Sequence, residues 1–285
     1  MRAILALDGL GEAETALNNF SKPDDWNQDP RTICQLRQES RASGATSLAA
    51  IPAPGSAALR AAPPLDVIEA HIALANVYLF DGRMSEAIPQ FEAALRRARS
   101  EYTAMVPQVT EMLGIAHLHK AEIDNGIYHQ PGSRCLLARG PGERFARTGD
   151  LEKAIAYFTE YLAGIPGDLE VRWLLNVTHM LSGGYPSRLP ASLLVPPSAF
   201  ESAEDVGRFI DVAPSLGLDT VASAGGVIVD DHDNDGRLDI VSSNSAACGP
   251  MQLFTRAEDG AFTDRGSTAF QGQLGGLNLS QAVYV

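Results

Sequence analysis

Three cysteines in 285 residues (Cys34, Cys135 and Cys248), widely spaced and odd in number, make neither a disulfide framework nor a zinc ligand set, although one pair remains open. No apolar run approaches the ~20 residues needed to span a bilayer, and residues 1–20 lack the pattern of a cleavable export signal. The chain therefore reads as soluble, without membrane insertion. Catalytic signatures are also missing: there is no Gly-x-Ser-x-Gly elbow, no His-Glu-x-x-His, no phosphate loop and no dinucleotide glycine fingerprint. Positive charge is scarce, with 22 Lys and Arg against 35 Asp and Glu. Residues 201–285 contain no lysine and hold thirteen acids against four arginines, so −9 of the −13 net charge sits there. Such a balance argues against nucleic-acid partners and for attraction of divalent cations.

The acidity is concentrated in Asp231-His232-Asp233-Asn234-Asp235-Gly236-Arg237-Leu238-Asp239, between the apolar runs 227–229 and 238–241. Ca²⁺ takes roughly six to eight oxygens, and a loop stepping every second residue brings Asp231, Asp233 and Asp235 to one side. Gly236 permits the turn, the Arg237 carbonyl supplies a backbone oxygen, and Asp239 closes the shell from the opposite side. His232 and Asn234 are expected to point away. An EF-hand begins with the same residues but needs an acid at loop position twelve, which here is Ser242, and a helix on each side. The β-branched flanks and Gly225-Gly226 predict strand-loop-strand instead. The competing reading is an ion-free acidic turn.

Upstream, the periodicity is helical from Ile68. In a 34-residue frame, Leu74, Ala75, Tyr78, Gly82, Ala87, Phe91 and Ala94 occupy positions 7, 8, 11, 15, 20, 24 and 27, the tetratricopeptide spacing in which small residues let two antiparallel helices touch. A second unit has Leu113, Gly114 and His117 at 7, 8 and 11. Its second helix (Gly149, Ala154, Phe158, Tyr161, Pro166) comes about 28 residues late, which predicts an insertion. A third unit starts at Leu169, with Leu175, Asn176, His179 and Gly183 at 7, 8, 11 and 15, and stops at Tyr185-Pro186. His117, His119, His129 and Cys135 lack the spacing of a metal motif, and the aromatic side chains of this region read as packing. From Ser40 to Pro64 the Ser/Ala/Pro/Gly-rich composition predicts a flexible linker, and Ile4 to Leu17 fits one amphipathic helix. After the proline-punctuated stretch Pro186 to Pro197 the period shortens towards two. Apolar segments at Phe209-Ile210, 227–229, 239–241, 251–254 and 261–263 describe an antiparallel meander. The fold class is thus α+β and multidomain. It comprises an N-terminal segment (1–65), helical repeats (66–186, insertion at about 122–147), a linker (187–208) and a β segment (209–285).

Phe209 to Ala213, Gly217-Leu218, Gly225 to Asp230, the Asp231 to Asp239 loop, Cys248-Gly249-Pro250, Leu253-Phe254 and Asp259 to Asp264 together resemble the first blade of FG-GAP/VCBS-type propellers, most closely the bacterial ASPIC/UnbV group related to cartilage acidic protein. That resemblance implies tetratricopeptide repeats ahead of a calcium-loaded propeller and an extracytoplasmic location, either periplasmic or secreted. It also implies about seven blades where this chain holds one. Gly275 to Ala282 look like the start of a second blade, with Val283 and Val285 where aspartates would stand, so an incomplete propeller is expected. The function expected on this basis is non-enzymatic: calcium stiffens the blade, and the helical repeats dock a protein or peptide partner. A metal-assisted hydrolase on a propeller scaffold and a nonfunctional truncated remnant are the alternatives.

Overall fold

The computed structural model describes residues 24, 30–50, 56–80, 82–127, 144–200, 204, 210–220, 225–244 and 249–270. The class is α+β, with helices across the first two thirds and a small antiparallel sheet after residue 226. The chain divides into two compact units, one formed by Ser47–Ile210 and the other by Met1–Thr46 with Asp211–Val285. Among the described residues, no helix is long and apolar enough to cross a membrane.

The helices of the described residues begin with α1 (Pro30–Ala50), α2 (Ala57–Ala61) and α3 (Pro64–Phe80). They continue with α4 (Met84–Glu101), α5 (Val106–Asp124), α6 (Gly149–Gly164) and α7 (Leu169–Ser182). From α3 onward each helix packs against the next in chain order. Ile68, Ile72 and Ala75 of α3, Ala87, Phe91 and Ala94 of α4, and Val109 and Leu113 of α5 close one core. Leu118 and Ala121 on α5 join Leu151, Ala154 and Phe158 of α6 and Val171 and Leu175 of α7 in a second. Helix α5 therefore serves both cores. Ala75, Ala87, Phe91, Ala94, Ala154 and Phe158 have no exposed surface. At Gly114 the approach is close: a Cβ there would lie 2.4 Å from the Phe158 ring, which no side chain but hydrogen permits.

Helix α7 is followed by turns that pack on it. The Asp168 carboxylate caps its start, accepting from the Val171 amide at 3.0 Å and from the Tyr161 hydroxyl at 2.9 Å. Gly183, at φ 78°, ends it. The following residues fold back on α7. The Asn176 amide, fully buried, donates to Leu193 O at 2.9 Å and accepts from the Val195 amide at 2.9 Å, while Arg172 donates to the Leu193 and Leu194 carbonyls. Leu189 is buried in the same core. The stretch from 187, read from its prolines as a linker, is thus packed structure as far as Val195. Two carbonyls and an amide find side-chain partners there, which composition alone does not disclose.

In the second unit, β1 (Val227–Asp230), β2 (Asp239–Ser242), β3 (Gln252–Arg256) and β4 (Phe262–Asp264) form an antiparallel meander in chain order. Val229 faces Ile240, Asp230 faces Asp239, and Ile240 faces Phe254. Both faces carry apolar residues. Val227, Val229 and Phe254 lie on one, and Ile228, Val241 and Leu253 on the other. Short helices, α8 (Ala213–Leu216) and α9 (Gly266–Ala269), flank the strands.

Two further expectations need correction. Residues 40–50 are helical rather than linker, because four alanines outweigh Gly44 and because Leu36 and Leu48 find cover at 5% and 4% exposure. Ile210 lies in coil, 77% exposed, and is not a strand. The first helix (4–17), most of the insertion with His129 and Cys135, Phe209, and the 275–282 segment fall outside the described residues. Cys34 is disulfide-bonded, and the other two cysteines lie outside the described residues.

Candidate metal centre

The loop between β1 and β2 is fixed at its base by the Asp230 and Asp239 pair, so strands flank it on both sides and EF-hand geometry does not apply. Backbone bonds then wind it around its own carboxylates. Asp231 accepts from the amides of Asp235 (3.1 Å) and Gly236 (2.9 Å), and Asp233 also accepts from Asp235 N at 3.2 Å. Two left-handed residues make the turn, Asn234 at φ 60° and Gly236 at φ 82°. Asparagine is among the few residues with a Cβ that adopt this conformation readily. His232 and Asn234, expected to point away, are exposed, as is Asp233. What sequence reasoning missed is the conformational requirement at Asn234, for which the Asn-x-Gly spacing was the available signal.

One ligand atom from each of Asp231, Asp233 and Asp239 lies within 4.8 Å of the others, and this cluster can hold a metal ion. Asp239 is the buried member, with no exposed surface. Its oxygens accept from the His232 amide at 3.1 Å and the Arg256 amide at 2.9 Å. Among the described residues no Lys, Arg or His side chain pairs with it. A buried carboxylate with amide donors alone lacks the countercharge that ordinarily offsets its desolvation, and a bound cation supplies one.

Asp235, expected beside Asp231 and Asp233, is directed elsewhere. Its carboxylate accepts from the Arg237 amide at 2.8 Å and is ion-paired with the Arg237 guanidinium. The same guanidinium donates through Nε to Arg256 O at 2.9 Å. Arg237 was picked out for its carbonyl; the side chain's part in holding the loop was not visible in sequence.

A second polar cluster ties α5 to α6. His117, 1% exposed, makes a 2.8 Å hydrogen bond through Nδ1 to Asp150 and stacks on Tyr157, while its Nε2 has no partner. Lys120 reaches the other Asp150 oxygen at 3.0 Å. Burial pulls the imidazole below its ordinary range, with the Asp150 bond opposing. The cluster joins the two helices through one carboxylate, with the His117 ring packed on Tyr157.

No protein-family model, curated protein or solved structure matches the chain.

Proposed function

We propose that this protein is a non-enzymatic, calcium-binding interaction protein, in which tetratricopeptide-type repeats dock a protein or peptide partner and Ca²⁺ stiffens a propeller-type blade. The observation that carries the reading is the convergence of Asp231, Asp233 and Asp239 on one point, with Asp239 wholly buried and no cationic side chain against it among the described residues. Oxygen-only donors on a short loop suit a hard divalent ion, and the Arg237 carbonyl is the further donor this reading assigns. Ca²⁺ tolerates flexible, irregular shells of this kind, whereas Mg²⁺ demands a smaller octahedral one.

The blade assignment is supported by a four-stranded meander with apolar residues on both faces, which suits a sheet stacked between two neighbours. The repeat assignment is supported by the pairing of small and aromatic positions, Gly114 against Phe158 above all. Docking along the repeats rests on what helical repeat folds commonly do, and it implies a protein or peptide partner. The disulfide at Cys34 favours an oxidising, extracytoplasmic location.

The test is thermal melting of the whole chain in chelator, in millimolar Ca²⁺ and in millimolar Mg²⁺. At ~100-fold excess over the dissociation constant, bound Ca²⁺ stabilises the folded state by about 2.7 kcal/mol. A raised midpoint in Ca²⁺ well above that in Mg²⁺ is expected. Identical midpoints in all three would overturn the reading.

A further inference from the structure

We propose that Asp235 is not a calcium ligand but one half of an ion-independent clamp, in which the Arg237 side chain fastens the loop to the end of β3. The inference rests on the calcium reading above for its second readout only. Both Asp235 oxygens are already committed to Arg237, one to its amide and one to its guanidinium. The guanidinium then reaches across the hairpin to Arg256 O. Arg256 is held from the other side too, since its amide donates to the buried Asp239 carboxylate. One residue at the end of β3 therefore receives the loop twice: its carbonyl through Arg237, and its amide through Asp239. Arg237 presents a planar fork of donors on a guanidinium that stays charged, and such a group bridges a carboxylate and a carbonyl at fixed geometry without any ion.

The consequence is that Asp231, Asp233 and Asp239 are held close together before calcium arrives, and the charge of Asp235 is spent on Arg237. Arg237 thus acts as a positioning residue. The rival account makes Asp235 a ligand that Arg237 withholds, and the two differ in sign. If Arg237 clamps, removing it weakens calcium binding; if it competes, removing it strengthens binding.

Arg237→Gln, Asp235→Asn and the double variant of the full chain decide between them. In chelator, the amides of His232 and Arg256, which bind Asp239 and not Arg237, should exchange hydrogen faster in Arg237→Gln and Asp235→Asn, with no further increase in the double variant. Titrated with Ca²⁺ alone, Arg237→Gln and Asp235→Asn should each bind about 10-fold more weakly, the lower end expected for groups that support ligands. Unchanged amide exchange in chelator would overturn the clamp, and so would tighter calcium binding by Arg237→Gln. If the unaltered chain bound no calcium, the calcium reading would fail while the chelator experiment still decided the clamp.

Discussion

Replacing Gly114 by alanine should destabilise the helical unit, although alanine is the better helix former by about 1 kcal/mol. The methyl carbon would lie 2.4, 2.6 and 3.0 Å from three carbons of the Phe158 ring, against an ordinary carbon contact of roughly 3.5–4.0 Å. Phe158 has no exposed surface, and it shares its core with Leu151, Leu162 and Leu175, which are buried as deeply. It has little room to withdraw. Overpacking of this kind costs about 1–3 kcal/mol, and a clash with three ring atoms belongs at the upper end. After the propensity gain the net loss is about 2 kcal/mol, a fall in midpoint of roughly 4–8 °C for a unit of this size. The assay is urea and thermal denaturation followed by helical circular dichroism, with Phe158→Leu and the double variant alongside. Because the smaller side chain vacates the space that the methyl needs, the two costs should not add, and a coupling of about 0.5–3 kcal/mol is expected. Stability of Gly114→Ala at or above that of the unaltered chain, or simple additivity, would refute the pairing of α5 with α6 at these positions.

Acid should destabilise the helices through their buried histidines. Burial lowers His71, His117 and His179 below the ordinary value of about 6.5, so the unfolded chain takes up protons first. Their contribution is complete above pH ~6.5 and is lost as pH falls below it. Melting between pH 7.5 and 5 should show the loss, reduced in His117→Leu; an identical slope in that variant would count against the assignment. Asn176→Ala should cost about 2–3 kcal/mol, since it leaves the Val195 amide without its acceptor and Leu193 O short of a donor. Equilibrium urea unfolding measures this, and a loss under about 0.5 kcal/mol, the range of ordinary surface changes, would mean that the 187–195 segment is not held by Asn176.

The parts of the fold that could be read from sequence are those in which spacing is itself the physics. Ala75, Ala87, Phe91 and Ala94 are spaced as two packed helices require, and all four are fully buried. The change of period after Pro186 likewise separates helices from strands, and the alternating acids between two β-branched runs place a hairpin loop where one is found. What could not be read depends on partners distant in sequence. His117 meets Asp150 across the insertion, 33 residues later. Asn176 binds the Val195 amide, 19 residues later. In the loop, five oxygen donors were equivalent on paper. The register of β3 places Arg256 O within reach of Arg237, whose guanidinium is ion-paired with Asp235, and the three carboxylates that come together are Asp231, Asp233 and Asp239. Composition misled at 187–195, where prolines read as a linker, and at 40–50, where a serine- and alanine-rich stretch with one glycine reads as linker although it is helical and buries Leu48.

The central claim is that the loop carboxylates hold one Ca²⁺, and calorimetric titration of the full chain beside two variants tests it most directly. Asp233→Ala removes one of the three converging carboxylates. His232→Ala removes an exposed neighbouring side chain while keeping the backbone amide that binds Asp239. Asn234 is less suitable as a control, because alanine would be strained at its φ of 60°. The account predicts one site per chain near 10⁻⁴ to 10⁻³ M, essentially unaltered in His232→Ala and lost in Asp233→Ala. Absence of calcium heat from the unaltered chain, or equal affinity in the two variants, would contradict it.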